Sequence, residues 1–334
     1  MTLDTSRQYT DKELRSAQFL CAKPEAQDNL IGTLPEGADL VRLENLYAVS
    51  AATPKVRCAG CGSRLHRHGF TGLLSTGQRV LLGSTCGAKA FGSWEIAKRE
   101  LDGLRGRQYY LAAIDRLTEN ADAIEREFDL WLGCATALDA TVAQFRAGMP
   151  DLFNALWGSA RRGGQLTSLK RVQVRTIRQD GSMRLTTRDD VVGHGAVPGK
   201  AVFEVERAHW TTQTARAAIR DLLRAGDNPN GITAEAELQA RKARAEATVR
   251  SLEELHTAFE GLPALFAPAS LSMIVDWSKK VGHLKGAYRK TPTGLVRDDG
   301  AASVSLSTGY APPSHELLDL LQDMTGRNVN RRAA

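Results

Sequence analysis

Cysteine is scarce. The chain has five in 334 residues, only two of them closely spaced, too few for the disulfide framework of a secreted scaffold. A reducing, cytoplasmic setting is therefore expected, and Cys21 and Cys134 have no evident partners. No apolar run approaches bilayer length, and the first residues lack the basic, apolar and cleavage-site succession of a secretory signal, so no membrane is expected. Gly60-Cys61-Gly62 and Gly163-Gly164 do not follow a phosphate-loop pattern. There is no spaced carboxylate set of the kind a two-metal nuclease uses. Gly193-His194-Gly195 has no convincing nucleophile nearby, and His209, His256 and His283 stand isolated. Hydrolase or nucleotide chemistry is thus the weakest reading, and whether the chain is an enzyme stays open. A hydrophobic content of 42% allows a real core, and a formal net charge of +6 permits attraction to a polyanion without compelling it.

The cysteines that do lie close carry the most information. Cys58-Ala-Gly-Cys61 is followed by His66 and His68, then by Gly83-Ser-Thr-Cys86 at the start of an expected helix. A Cys-x-x-Cys turn directs two thiolates at one ion, and a folded-back segment supplies the rest of a tetrahedral Zn²⁺ set. Arg64 to Phe70 reads as one strand, residues 71–77 as the reversal and Arg79 to Leu82 as the returning strand. His66 and His68 share a strand face by two-residue alternation. The expected ligands are Cys58, Cys61, Cys86 and His68, which leaves more chain for the reach back, with His66 as the alternative. A structural ion pinning an otherwise marginal hairpin fits better than a catalytic one. The competing reading makes the thiols reduced core residues and the histidines solvent-facing.

Residues 54–95 resemble small treble-clef-like zinc modules of phage and plasmid proteins. The shared features are Cys58, Cys61 and Gly62 at the opening, Gly83 and Cys86 later, and the Phe91-Gly92 turn. The resemblance implies a mobile-element context and an association with nucleic acid. It covers only this segment, and no whole-chain family is suggested.

Elsewhere the apolar pattern is helical. Tyr110, Ile114, Leu117, Ala121, Ile124, Phe128, Trp131, Ala135, Leu138, Val142 and Phe145 recur by fours and threes, which predicts one long helix with a coiled-coil-like seam. Gly148 and Pro150 are its stop. After Thr233, the residues Leu238, Ala245, Val249, Leu252, Leu255 and Phe259 define a second stripe, the natural antiparallel partner of the first within one chain or in a second copy. Phe145 to Phe153 and Phe259 to Phe266 form a weak repeat that suggests similar corners at Pro150 and Pro263. A short strand is expected over Ala201–Glu206, helices over Trp210–Leu223 and Leu262–Trp277, a strand over Ser303–Ser307, a helix from His315 to Met324 capped by Ser314, and a frayed tail from Asn328.

Charge is concentrated between the two stripes. Arg161, Arg162, Lys170, Arg171, Arg175, Arg178, Arg184 and Arg188 are accompanied by one acid, Asp180, before Asp189 and Asp190 end the run. Leu169–Ile177 and Ser182–Thr187 read as strands joined at Asp180-Gly181, a phosphate-binding ribbon or a merely solvated hairpin. Lys279, Lys280, Lys285, Arg289 and Lys290 form a second patch beside His283, Trp277 and Tyr288, aromatics that can stack bases or belong to the core.

The expected fold is mainly α with a small α+β component: an N-terminal zinc-finger-like hairpin and long antiparallel helices. Its segments are an extension (1–45), a zinc module (46–99), a long helix and bend (100–160), a basic hairpin insertion (161–208), a helical hairpin or bundle (209–278) and a basic extension (279–334). The expected partner is DNA or RNA, bound by charge and shape, with self-association through the seam. The alternative is a protein-interaction module, an inhibitor or assembly factor that meets an acidic protein surface.

Overall fold

The computed structural model describes residues 8–62, 65–177, 179, 182–225, 231–282, 284 and 286–322. It is a mixed α and β structure, half helix and about a fifth strand, in two compact units. No single helix among the described residues is long and apolar enough to cross a membrane.

The first unit comprises residues 1–119 and 222–243. It contains α1 (Asp11–Ser16), β1 (Leu30–Ile31), β2 (Leu40–Ala48), β3 (Val56–Arg57), β4 (Leu65–His66), β5 (His68–Leu74), β6 (Arg79–Leu82), α2 (Ser84–Ala90) and α3 (Trp94–Glu119). Thr10 and Glu13 close a capping box on α1. Strands β5 and β6 pair antiparallel, as expected of this hairpin, but the first strand runs on through residues 71–74, expected to be part of the reversal, and the pair does not stand alone. They lie inside a four-stranded sheet of order β1-β6-β5-β2. Leu43, Phe70, Leu74, Val80 and Leu82 bury one face of it with Trp94 and Leu101, and Phe70 meets Trp94 edge-on at 5.3 Å. The hairpin thus shares a hydrophobic core with its neighbours and is not the marginal, free-standing element expected. The expected division at 45/46 falls within β2.

On β2, Glu44 is fully buried, with Arg79 Nε 2.6 Å and Arg42 Nη2 3.3 Å from its carboxylate. Asp11, also buried, receives Arg107 Nη2 at 3.1 Å and the Thr233 hydroxyl at 2.6 Å.

The second unit comprises residues 120–221 and 244–334. Its elements include α4 (Ala121–Gly148), α5 (Pro150–Arg161), β7 (Gln165–Ile177), β8 (Met183–Ala196), α6 (Ala208–Ala225) and α7 (Glu235–Phe266), the last two reaching past the unit boundary. α8 (Pro268–Ser278), β9 (Tyr288–Lys290), β10 (Gly294–Arg297), β11 (Ser303–Ser305) and α9 (Glu316–Gln322) follow. The single long helix expected from Tyr110 to Phe145 is two helices. Asn120 leaves helical geometry at φ −103°, ψ 11° between α3 and α4, as befits a side chain that competes with the helix for backbone hydrogen bonds. Leu117 and Ile124 are buried on either side of the break, which is why the apolar spacing runs on across it. All six residues of the α7 stripe are buried, and Trp131 of α4 meets His256 and Phe259 of α7 at ring separations of 5.6 and 5.4 Å.

The two proline corners differ. Pro150 opens α5, whereas Pro263 lies inside α7, and the second break comes at Ala267–Pro268. Lys200–Phe203 is a 3₁₀ turn instead of the expected strand: the chain enters it through Gly199 in a left-handed conformation at φ 57°, and Val202 and Phe203 are both buried. Phe203 packs on Phe153 at 5.7 Å. The strand β11 and the helix α9 appear where expected, with Ser314 Oγ accepting from the Glu316 amide at 3.4 Å. Asp139 of α4 caps α6, accepting from the amides of Ala208 and His209 at 2.9 and 3.0 Å.

Glu125 of α4 accepts from Arg216 and Arg220 of α6, with Arg220 Nε at 2.6 Å. The Arg220 hydrogen bond is the main cause that lowers this carboxyl to about 2, against the opposing effect of burial. A depressed folded-state value stabilises above the unfolded carboxyl range, and that stability is lost as pH falls toward 2. Glu125→Gln should lower unfolding free energy at pH 7 by about 1–2 kcal/mol, discounted for the half-exposed Arg220. In urea titrations the gap to the native chain should narrow steadily below about pH 4.5.

Candidate functional site

The metal candidate is assembled from a turn and a helix start. β3 delivers Cys58 into a tight reversal in which the Gly62 amide donates to the Cys58 carbonyl at 2.9 Å. Gly62 adopts φ 66°, a left-handed conformation that favours glycine. Arg57 Nε donates to the Gly62 carbonyl, and the Ala59 amide donates to Leu81 of β6 at 2.9 Å, fixing the knuckle to the sheet. Cys86 sits in the first turn of α2, beginning after Gly83. The next residue must be glycine, because a Cβ on Gly87 would come within 2.1 Å of the Trp94 ring.

The result is a cluster in which the sulfurs of Cys58, Cys61 and Cys86 all lie within 4.8 Å of one another. A tetrahedral thiolate site with metal–sulfur bonds near 2.3 Å has edges of about 3.8 Å, so the cluster fits a metal ion of that kind. Cys58 is buried, Cys86 intermediate and Cys61 exposed, so the cluster opens toward solvent on the Cys61 side. Burial, followed by hydrogen bonding and like charge from Cys58 and Cys61, pushes the Cys86 thiol up to about 11. Only with a cation among them would three sulfurs this close ionise together near neutral pH, a condition a bound metal would satisfy.

Neither histidine joins this group among the described residues. The shared strand face expected for His66 and His68 does not exist, because Arg67 separates two ladders. His66 pairs with Val56 in β3, and His68 pairs with Ala48 in β2. His68, the preferred fourth ligand, is exposed. His66 Nδ1 lies 3.0 Å from the Tyr47 hydroxyl, with the two rings stacked at 5.7 Å. Burial lowers the His66 imidazole from its ordinary value, and raises the Tyr47 phenol well above its own, with Cys58 adding to the rise.

The basic residues are placed more tellingly than their count suggests. β7 and β8 form one antiparallel ribbon, longer than the two strands predicted, with Arg171 opposite Asp189 and Val172 opposite Arg188. Arg178, Asp180 and Gly181 lie outside the described residues. The register splits the cations: Arg171 and Arg175 share one face with Gln173 and Thr187, while Lys170, Arg184 and Arg188 share the other. The two acids that end the basic run fold back on it, with Arg171 3.4 Å from Asp189 and Arg188 2.7 Å from Asp190. The first face also carries Leu169, Ile177, Met183, Leu185 and Val191, each 64–73% exposed.

At the base of the ribbon the two basic segments meet. Arg162 from the end of α5, Arg171 from β7 and Lys280 after α8 line one open cavity of about 610 Å³, together with Ser168, Leu169 and Asp189. Arg161 stacks on its own helix neighbour Trp157 at 4.9 Å. In the second patch Lys279 pairs with Asp276, Arg289 lies 3.9 Å from Asp298, and Lys290 donates to Ser272 at 2.7 Å. His283 and Lys285 lie outside the described residues, as does the tail from Asn328. Trp277 and Tyr288 are buried, so base stacking on them is excluded. Trp277 instead donates to the Thr167 carbonyl at 3.0 Å and ties α8 to the ribbon.

One contact has no signal in the sequence: His194 Nε2 lies 2.7 Å from Ser168 Oγ across the ribbon. The chain matches no protein-family model, no curated protein and no solved structure.

Proposed function

We propose that the protein is a zinc-containing nucleic-acid-binding protein that recognises phosphate backbone and shape, with Zn²⁺ held by Cys58, Cys61 and Cys86. The observation that supports it best is the convergence of Arg162, Arg171 and Lys280, from three separate elements, on one open cavity at the ribbon base. Cations on one concave surface concentrate a polyanion more effectively than the same charges scattered. The ribbon suits the same partner. Thirteen residues of β7 extend about 40 Å, and a two-stranded ribbon is one of the elements a DNA major groove admits. Arg171, Gln173 and Arg175 on one face would meet phosphates or base edges, while Lys170, Arg184 and Arg188 would meet the flanking backbone.

The test is fluorescence anisotropy with labelled duplex and single-stranded DNA and RNA across a salt series. The triple substitution Arg162→Gln, Arg171→Gln, Lys280→Gln should weaken binding at low salt by at least about tenfold. It should flatten the log–log salt dependence by about 2–3, near 0.9 for each phosphate that no longer meets a cation. Unchanged affinity and slope would overturn the assignment.

The exposed apolar face of the ribbon favours a second reading, a protein-interaction module whose partner is acidic and covers Leu169, Leu185 and Val191. It gains if no nucleic acid binds at low salt while a partner copurifies and is lost on Leu185→Ser.

A further inference from the structure

α7 carries His256 and Glu260 one turn apart, so both side chains rise from the same helix face. The His256 ring is buried against Trp131, and its Nε2 lies 3.0 Å from the backbone carbonyl of Pro313. A carbonyl oxygen only accepts, so Nε2 carries the proton and Nδ1 of the neutral ring presents a lone pair. That lone pair faces a carboxylate: Nδ1 is 3.8 Å from Glu260 Oε2. From the segment before α9, His315 Nε2 approaches the same carboxylate, 3.7 Å from Oε1. The two imidazole rings have centroids 4.0 Å apart and planes tilted by 38°, and one ligand atom from each of the three residues lies within 4.8 Å of the others.

These separations discriminate between a proton and a metal. Distances of 3.7–3.8 Å are too long for hydrogen bonds, so shared protons do not hold the trio together. They are near the edge, about 3.4 Å, of a tetrahedron with metal–nitrogen or metal–oxygen bonds of 2.0–2.1 Å. Two imidazolium rings with centroids 4.0 Å apart would repel each other, whereas two neutral rings beside one cation would not.

The approach of His315 is also built in. Pro263 has no N–H for the carbonyl four residues before it, and the freed Phe259 carbonyl accepts from the Tyr310 hydroxyl at 3.2 Å. Cys134 Sγ donates to the Ala311 carbonyl at 3.4 Å. With the Pro313 contact, the stretch of chain from 310 to 313 is fastened at three points, and His315 follows directly.

We propose that His256 Nδ1, Glu260 and His315 Nε2 form a second metal centre for a borderline divalent ion of the Zn²⁺ class, independent of the nucleic-acid reading. The two-nitrogen, one-carboxylate set suits Zn²⁺, Co²⁺ or Ni²⁺. The His256 N–H to Pro313 is the outer contact that sets the ligand tautomer. Glu260 and His315 are 55% and 62% exposed, so the site opens to solvent and keeps at least one coordination position for water or an anionic ligand.

Cobalt titration of the full chain, followed by ion stoichiometry and visible absorption, tests this. Co²⁺ at the cysteines gives a thiolate-to-metal charge-transfer band, and Co²⁺ at the histidine site gives only weak d–d bands. The native chain should show a component without thiolate character. His315→Ala, at an exposed position that leaves the core intact, should lose it, with affinity at that site falling more than about 100-fold. Glu260→Gln should act in the same direction, and the thiolate band should persist in both variants. If every bound ion shows thiolate character, or if both variants bind as many ions as the native chain with the same spectrum, the proposal is overturned.

Discussion

Replacing Cys58 with serine is expected to remove metal from the three-thiol cluster and to lower unfolding free energy by at least about 3 kcal/mol. Cys58 is the most buried of the three cysteines and lies within the core that includes Leu82 and Trp94. Its loss removes a ligand and leaves Cys61 and Cys86 as a two-thiol remnant. Chelation of the native protein should produce a similar fall in Tm by calorimetry, and chelation of Cys58→Ser should add nothing. The sheet should survive in both cases, because β5 and β6 are flanked by β1 and β2 and packed on Trp94. Far-ultraviolet circular dichroism should therefore retain most of its signal at low temperature. A free-standing finger would lose its structure with its ion. An identical Tm with and without chelator, in a chain shown to carry metal beforehand, would remove the structural role assigned to this cluster.

The second large effect lies in the same unit, at the buried carboxylate of Glu44. Arg79→Met should destabilise by about 3–5 kcal/mol, because it strands a charge that is fully buried. Arg42 Nη2 remains 3.3 Å from Oε1, whereas Arg79 reaches both oxygens, with Nε at 2.6 Å, and also donates to the Asp28 carbonyl at 3.0 Å. The double change Glu44→Met, Arg79→Met should be milder than Arg79→Met alone, since no carboxylate is left without its partner. Urea denaturation of the three variants closes the cycle. A double variant as unstable as the single one would show that shape, not charge, holds this corner.

The cysteine cluster is legible in the sequence because Cys-x-x-Cys constrains two sulfurs locally and Gly83 marks the helix start that presents the third. The fourth ligand is not, because two-residue alternation holds only within one strand, and Arg67 divides His66 and His68 between two ladders. The same kind of limit hides the break at Asn120. Periodicity reports which side chains face inward, and Leu117 and Ile124 do so whether or not the axis continues between them. The ribbon is foreshadowed by the two strand-like stretches Leu169–Ile177 and Ser182–Thr187, but it is longer than they predict. Its base is not, since the meeting of Arg162, Arg171 and Lys280 depends on how α5 and α8 pack around it. His256 looks isolated for a similar reason. Glu260 is one turn away in sequence, but His315 comes 55 residues after Glu260 and reaches it only along a fastened segment.

That segment has a bearing on how the second unit reaches its final form during synthesis. α4 begins at Ala121, yet it packs on α9, and the carbonyl left bare by Pro263 waits for Tyr310. Until residues 310–322 have left the ribosome, the Phe259 oxygen, the His256 Nε2 and the sites of Leu317, Leu318 and Leu321 face water. Closure joins parts separated by nearly the whole length of this unit, which makes it a late and slow event. A chain stopped after residue 305 should expose apolar surface to a reporter dye such as ANS, while the sheet around Trp94, completed much earlier, keeps its amide protons protected.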